Sequence, residues 1–350
     1  MEIMLVRDAK AKAAKWVTLE AVPLNGFGGA FFHGSVNWMA DDDIFPVTSD
    51  IDIIVLLTDP EGHLPGKFIF DDLILEVSYL PVREFQLPEI ILAKHYLAGS
   101  FSRTTLIADN GNLLKNVQQA VATKYPEEYW VRKRCSNART IALGYLRQLQ
   151  EDMLLHDQVT AWLFARGLLV HMMLVAGLKN PTVRKRYVVL KELLEKYGDS
   201  KSYETMLQLT RFAALDPAAV ERHLHTLTAA FDMAAEIKAG SPYRFAADIS
   251  PVGRSIVIDG SRELIRVGLH REAMFWIVAS YCRCLHILFH NISPCITEPL
   301  YRGFSGMLEE LGIATYEERL QSNEEVLTFL PAAEKLTEKI IQLTPGIIHP

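Results

Sequence analysis

The chain has 350 residues, of which 49% are hydrophobic and 22% are charged, and its formal net charge at pH 7 is −6. This length and composition predict a globular protein of about two domains, each large enough to bury a core. The negative charge argues against a general binder of nucleic-acid backbones, which needs a basic face, but allows a local basic patch.

No segment has the features of a secretory signal or a membrane span. Residues 1–15 mix charged and apolar residues, and the longest apolar runs, near 168–178 and 273–289, are interrupted by His171 and Arg283. We therefore expect a soluble, cytoplasmic protein that does not enter a membrane. Its four cysteines are then expected to be reduced thiols. They lie at positions 135, 282, 284 and 295.

The first third of the chain alternates helical and strand-like patterns. Residues 2–22 have helical periodicity, and the glycines at 26–29 end that helix. Because no Gly-Lys-Ser/Thr sequence follows these glycines, a Walker phosphate loop is not supported. Short apolar runs rich in β-branched and aromatic residues predict strands. These strands lie in 29–35, 49–57, 68–70, 73–79 and 104–108, with helices predicted over 82–98 and 113–124.

The second strand carries two acids at alternate positions. Asp50 and Asp52 share one face of it, while Ile51 and Ile53 point into the core. Two carboxylates this close repel unless a basic group or a hard cation compensates them, and Mg²⁺ prefers such oxygen ligands. Glu76 on a neighbouring strand would supply a third carboxylate. The alternative is a set of solvated acids on an exposed strand face.

Gly34 and Ser35 end the first predicted strand and are expected to open a helix. Glycine permits close backbone approach, and free N–H groups together with the serine hydroxyl suit a phosphate. His33 precedes them and either packs in the core or lies near this phosphate site.

Taken in order, Gly34-Ser35, Ser49-Asp50-Ile51-Asp52 and Glu76-Val77 resemble the nucleotidyltransferase fold shared with DNA polymerase β. Within that group they most resemble the kanamycin (aminoglycoside) nucleotidyltransferases. The resemblance implies an α+β protein with a catalytic domain in 1–125, built on a mixed sheet flanked by helices. An all-α helical-bundle domain would follow in 126–350.

Helical periodicity after residue 129 agrees with that organisation. Turn signals separate some of the predicted helices. Residues 242–260 are the least helical stretch, and 256–258 fit either a strand or a loop. The predicted helices are 136–155, 158–177, 184–197, 201–213, 217–238, 268–290, 304–311 and 322–343.

The resemblance also implies a reaction. A nucleoside monophosphate, with AMP from ATP expected, would pass from a nucleoside triphosphate to an acceptor hydroxyl, releasing pyrophosphate. Asp50, Asp52 and Glu76 would bind two Mg²⁺ ions, with Glu76 also polarising the acceptor. Gly34 and Ser35 would hold the β- and γ-phosphates.

Two further site predictions lie in the helical region. In the kanamycin enzymes the base comes from a C-terminal helix, which corresponds here to 136–155, with Glu151 as first choice and Asp152 as second. A solvated face with Asp152 paired to His156 is the alternative.

The cluster around Lys179, Arg184 and Lys185 suits a triphosphate at a helix start, or else forms a basic surface turn. Arg132–Arg134 is a weaker candidate.

Cys282, Cys284, His286 and His290 do not predict a metal site by themselves, because Cys284 points away from the other three on one helix. They are expected to be buried thiols and satisfied histidines.

A small hydroxylated acceptor such as an aminoglycoside is expected, without nucleic acid, and a homodimer is left open. The competing functions are nucleotidylation of a partner protein and non-catalytic nucleotide binding.

Overall fold

The computed structural model describes residues 3–64, 66–237 and 245–350. Residues 2, 238 and 242–244, which belong to predicted elements, lie outside the described residues. The protein is α+β, with a five-stranded mixed sheet, flanking helices and a helical C-terminal region, as predicted.

The chain forms two compact units. The sheet unit consists of Met1–Asn137 with Pro345–Pro350, and the helical unit of Ala138–Thr344. This division falls inside a helix, Glu128–Gln148, whereas the predicted domain boundary after residue 125 precedes that helix.

The five strands of the sheet unit lie in the order β3-β4-β2-β1-β5. β2 and β4 are parallel, and the other neighbours are antiparallel. A two-residue turn at Asp71-Asp72, both with positive φ, joins β3 to β4 in a β-hairpin. The strands are β1 (Phe27–His33), β2 (Ile51–Leu57), β3 (Gly66–Phe70), β4 (Leu73–Pro81) and β5 (Leu106–Asp109).

Both faces of the sheet are covered, which explains the nearly continuous apolar sequence of β2. Ile53 and Val55 pack in a core beneath the first helix, and Ile54 and Leu56 pack in a second core on the other face. Asp52 is the one residue of β2 that is not buried. A charged side chain within this strand is therefore tolerated only near its beginning.

The helices of the sheet unit are mostly short. The predicted helix over 82–98 is wrong, because the chain there forms a 3-10 turn (Val82–Phe85) and two short helices. Leu87 is extended, since the following Pro88 disfavours a helical conformation at the preceding residue and instead begins a helix itself. The helices are α1 (Val6–Trp16), α2 (Pro88–Ala93), α3 (Ala98–Phe101), α4 (Leu113–Lys124) and α5 (Glu128–Gln148).

The helical unit contains the end of α5 and eight further helices in the described ranges. Residues 256–258, predicted as strand or loop, instead lie in a π-helical turn, Ser255–Asp259. The eight helices are α6 (Leu155–Ala176), α7 (Arg186–Lys196), α8 (Ser200–Leu209), α9 (Pro217–Ala235), α10 (Gly260–Arg266), α11 (His270–Asn291), α12 (Pro294–Glu310) and α13 (Tyr316–Leu343).

α6 and α11 are long and apolar enough to cross a membrane by length and composition. Their most apolar windows are 89% and 83% buried inside the structure, respectively. Packing of these two helices against each other and against the rest of the unit accounts for their apolar sequences.

Candidate functional site

The sheet register brings the three predicted acids together. Asp50 immediately precedes β2, Asp52 is its second residue, and Asp52 pairs directly with Glu76 across the parallel β2–β4 ladder. Each of the three offers one carboxylate oxygen, and these oxygens all lie within 4.8 Å of one another. We call Asp50, Asp52 and Glu76 the acid cluster.

Lys67, which no sequence pattern singled out, contacts this cluster. It stands opposite Glu76 in the antiparallel β3–β4 ladder. Its ammonium donates hydrogen bonds to Asp50 and, at 2.8 Å, pairs with Glu76, while its side chain is only 4% exposed. The two-residue turn at Asp71-Asp72 fixes this register, so counting back from the hairpin would have found the pair.

The turn after β1 packs directly on the acid cluster. His33 pairs with Asp52 in the antiparallel β1–β2 ladder, and Gly34 follows it with φ +68°. A Cβ atom at Gly34 would lie 2.0 Å from Oδ2 of Asp52, so only glycine fits beside this carboxylate. Ser35 is exposed.

The helix predicted to begin at Gly34-Ser35 is a single 3-10 turn, Gly34–Trp38. The buried side-chain amide of Asn37 donates to the Phe32 carbonyl at 2.8 Å and holds this turn against the end of β1. This hydrogen bond, together with the pairing of His33 with Asp52, holds Gly34 beside Asp52.

His33 adds no positive charge to the acid cluster at neutral pH. Its Nδ1 lies 2.7 Å from the Ser100 hydroxyl, and desolvation by burial lowers the pKa of His33 to about 4. Three ionised carboxylates and one ammonium therefore leave a formal charge of −2 (−3 + 1). The remaining negative charge attracts a cation, and oxygen donors suit Mg²⁺.

A cavity of about 640 Å³ opens in the sheet unit, but at the other end of β1. Val22–Phe27 and Ala108–Asn110 line it, and its described wall contains no member of the acid cluster. The side chains of Asp50 and Glu76 are 17% and 30% exposed, so solvent reaches the acid cluster directly.

The predicted position of Glu151 at the end of a helix over 136–155 is wrong. α5 ends at Gln148 and α6 begins at Leu155, so Glu151 and Asp152 lie exposed in the intervening turn of the helical unit. The Gln158 amide donates to the carbonyls of Glu151 and Met153, at 3.0 and 2.9 Å, and stabilises this break.

The predicted basic cluster also lies in the helical unit. α7 begins at Arg186, after Lys179, Arg184 and Lys185, rather than at 184. Arg184 donates to the Ile256 carbonyl at 3.1 Å, and burial lowers the pKa of Lys185. These contacts are made within the helical unit.

The weaker basic candidate, Arg132–Arg134, has structural contacts. Arg134 is fully buried and donates to the Tyr125 carbonyl at 2.7 Å, while Arg132 pairs with Glu128. These two guanidinium groups stabilise the start of α5 and are already engaged there.

A scan of the chain against protein-family models gives no match, and a search of the curated proteins finds no relative. The case for a function therefore depends on the geometry of the acid cluster and of the Gly34 turn.

Proposed function

We propose that the protein is a Mg²⁺-dependent nucleotidyltransferase that moves a nucleoside monophosphate, AMP from ATP, to a hydroxyl of a small acceptor. The observation that carries this proposal is the convergence of Asp50, Asp52 and Glu76 beside a turn that only glycine can make. On this proposal the sheet unit is a nucleotidyltransferase domain, and the helical unit is its helical-bundle domain.

The residues of the acid cluster and of the Gly34 turn would have different roles in the reaction. Asp50 and Asp52 would hold the cation, and Glu76 would orient the acceptor hydroxyl. The Gly34 backbone and the Ser35 hydroxyl would bind the β- and γ-phosphates. A bound divalent cation supplies charge neutralisation for the triphosphate and its leaving group.

In the transfer, the acceptor oxygen forms a bond to the α-phosphorus while the bond from that phosphorus to the bridging oxygen of pyrophosphate breaks. The hydroxyl proton passes to a carboxylate. Glu151 stays a prediction for that base, as do Lys179, Arg184 and Lys185 for triphosphate binding.

Lys67 favours a second candidate function. Its buried ammonium already compensates Asp50 and Glu76, so the cluster could be a structural ion-pair network in a non-catalytic protein. For a cation to bind both acids, Lys67 must release at least one of them. The two candidates therefore differ in whether a divalent cation displaces Lys67.

Pyrophosphate release tests the proposal. The full chain is incubated with Mg²⁺ and each nucleoside triphosphate, with and without a panel of aminoglycosides and other polyhydroxylated acceptors. We expect acceptor-dependent release, and Asp52→Asn should reduce it by about 10³-fold, because a metal ligand contributes several kcal/mol. Asp72→Asn, at the exposed hairpin of the same sheet, is the matched control and should retain the wild-type rate.

Three outcomes would contradict the proposed reaction. A near-wild-type rate for Asp52→Asn would remove the acid cluster from catalysis. A mass increase of the protein itself, without any acceptor, would favour a protein-directed transferase. No nucleotide binding in calorimetry with Mg²⁺ would favour the structural network.

A further inference from the structure

A second group of potential ligands lies in the helical unit, where α6 packs against α11. His156 and Asp157 are in the first turn of α6, and His286 is in the last third of α11. One donor atom from each lies within 4.8 Å of the others. We call these three residues the histidine cluster.

His156 is the unusual member. Its side chain is 1% exposed, and neither ring nitrogen has a hydrogen-bond partner among the described residues. A buried polar group without a partner is costly, and such groups are rare in native proteins. An imidazole whose two nitrogens are both unpartnered, and which faces another imidazole and a carboxylate, therefore points to a ligand.

The donor atoms have nearly the spacing that one metal ion requires. Nδ1 of His286 lies 3.5 Å from Oδ1 of Asp157, and Nε2 of His156 lies 3.9 Å from the same oxygen. Donors that bind a tetrahedral Zn²⁺ at about 2.0–2.1 Å are about 3.4 Å apart. Both distances to the Asp157 oxygen are therefore close to the spacing of two donors on one ion.

The surroundings of the cluster also suit a metal. A cavity of about 300 Å³ adjoins His156, with Phe289 and Tyr301 in its largely apolar wall. Three protein ligands would leave a fourth position for water.

We propose that His156, Asp157 and His286 bind a transition-metal ion, Zn²⁺ before others, that links the start of α6 to α11. Two imidazoles and one carboxylate suit zinc and its neighbours, whereas Mg²⁺ prefers the oxygen donors of the acid cluster. The two clusters therefore select different metals. This inference is independent of the proposed nucleotidyl transfer.

Metal titration of the full chain tests this site. Co²⁺ is followed by its visible absorption, and Zn²⁺ by competition with bound Co²⁺. We expect one tight site. His286→Gln or Asp157→Asn should lower its metal affinity by at least about 10- to 100-fold, because loss of a residue that merely hydrogen-bonds to a metal ligand already costs that much. Circular dichroism checks that each variant is folded, and both positions are partly exposed, at 21% and 39%.

Two control variants distinguish Zn²⁺ binding at this site from Zn²⁺ binding at an exposed histidine or at the acid cluster. His225→Gln changes an exposed histidine of α9 in the same unit, and Asp50→Asn/Asp52→Asn disables the acid cluster. Both should bind Zn²⁺ as the wild type does. Wild-type affinity in His286→Gln and Asp157→Asn, or loss of Zn²⁺ binding in the Asp50/Asp52 variant, would overturn the proposal.

Discussion

The acid cluster and the histidine cluster each contain three potential metal ligands, but their polar groups are accommodated differently in the folded protein. In the sheet unit the carboxylates stay partly exposed, and Lys67 neutralises part of their charge. In the helical unit His156 is buried without a hydrogen-bond partner among the described residues. The first cluster limits repulsion with a built-in cation, whereas in the second burial lowers the pKa of His156 and keeps that imidazole neutral.

The difference indicates how each cluster would respond to metal. A divalent cation at the acid cluster has to compete with the Lys67 ammonium, so its binding is a replacement of one cation by another. At the histidine cluster a metal would supply the missing partner of His156. Variants that change one cluster and leave the other intact can test this contrast.

The largest effect is expected from Gly34→Ala. The new Cβ would meet the Asp52 carboxylate at 2.0 Å, and the residue would have to keep a φ of +68°. We expect a loss of about 3 kcal/mol in the free energy of unfolding, since both overpacking and backbone strain contribute. Urea unfolding measures it, and Mg²⁺-dependent nucleotide binding should be lost as well.

Gly111→Ala is the matched control for this change. Gly111 has φ +79°, but a Cβ there meets nothing within 4 Å, so the variant contains the strain without the clash. Equal destabilisation of the two variants would show that contact with Asp52 is unimportant. Zn²⁺ binding at the histidine cluster should be the same in both folded variants.

The acid cluster could be predicted from sequence because its geometry is local. Period-two alternation places Asp50 and Asp52 on one face, and short strands bounded by turns locate Glu76 on a neighbouring strand. Lys67 could have been found in the same way, since a two-residue hairpin fixes its partner as Glu76. The register of the β3–β4 hairpin therefore predicts the basic partner of Glu76, which the spacing of the acids does not.

The histidine cluster could not be found in this way. Its members come from two helices far apart in sequence, and which helices pack together depends on the tertiary structure of the unit. The expectation that Cys282 and Cys284 are buried thiols is confirmed, and it followed from the general tendency of free cysteine to be buried. Helical periodicity gave no partner for His286, however, and the break between α5 and α6, which displaces Glu151, has neither Gly nor Pro to signal it.

Lys67→Met sharpens the contrast between the clusters. Removing the ammonium deletes the ion pairs that Asp50 and Glu76 make with Lys67, and we expect the free energy of unfolding to fall by about 2 kcal/mol without Mg²⁺. Mg²⁺ should then stabilise this variant more than the wild type, because Lys67 no longer competes for the acids. Thermal unfolding with and without Mg²⁺ measures both effects.

Lys15→Met removes an ion pair of similar length, 2.8 Å to Asp71, at the exposed edge of the same unit. Such surface pairs contribute little, so this control should unfold almost as the wild type and gain nothing extra from Mg²⁺. If Lys67→Met shows no added stabilisation by Mg²⁺, the acid cluster is an ion-pair network and not a metal site.

The smallest effect concerns two imidazoles of lowered pKa: His33, beside the acid cluster, and His156, a member of the histidine cluster. The pKa of His33 is lowered from 6.5 to about 4 by desolvation, so between these pH values the unfolded chain binds a proton that the folded chain does not. Its contribution to stability is complete above pH 6.5 and is lost as the pH falls through 4. Replacing it by His33→Gln should reduce the loss of stability between pH 7 and about 5.5 by about 1 kcal/mol.

His156 has the same lowered pKa for the same reason, so part of the pH dependence should remain in the His33→Gln variant. The control His63→Gln, at an exposed turn of the sheet unit, should keep the full wild-type dependence. The free energy of unfolding in urea, measured at both pH values, compares the pH dependence of the two variants. An unchanged dependence in His33→Gln would assign the whole effect to the helical unit, because the other described histidines with a lowered pKa, His156, His223 and His286, all lie there.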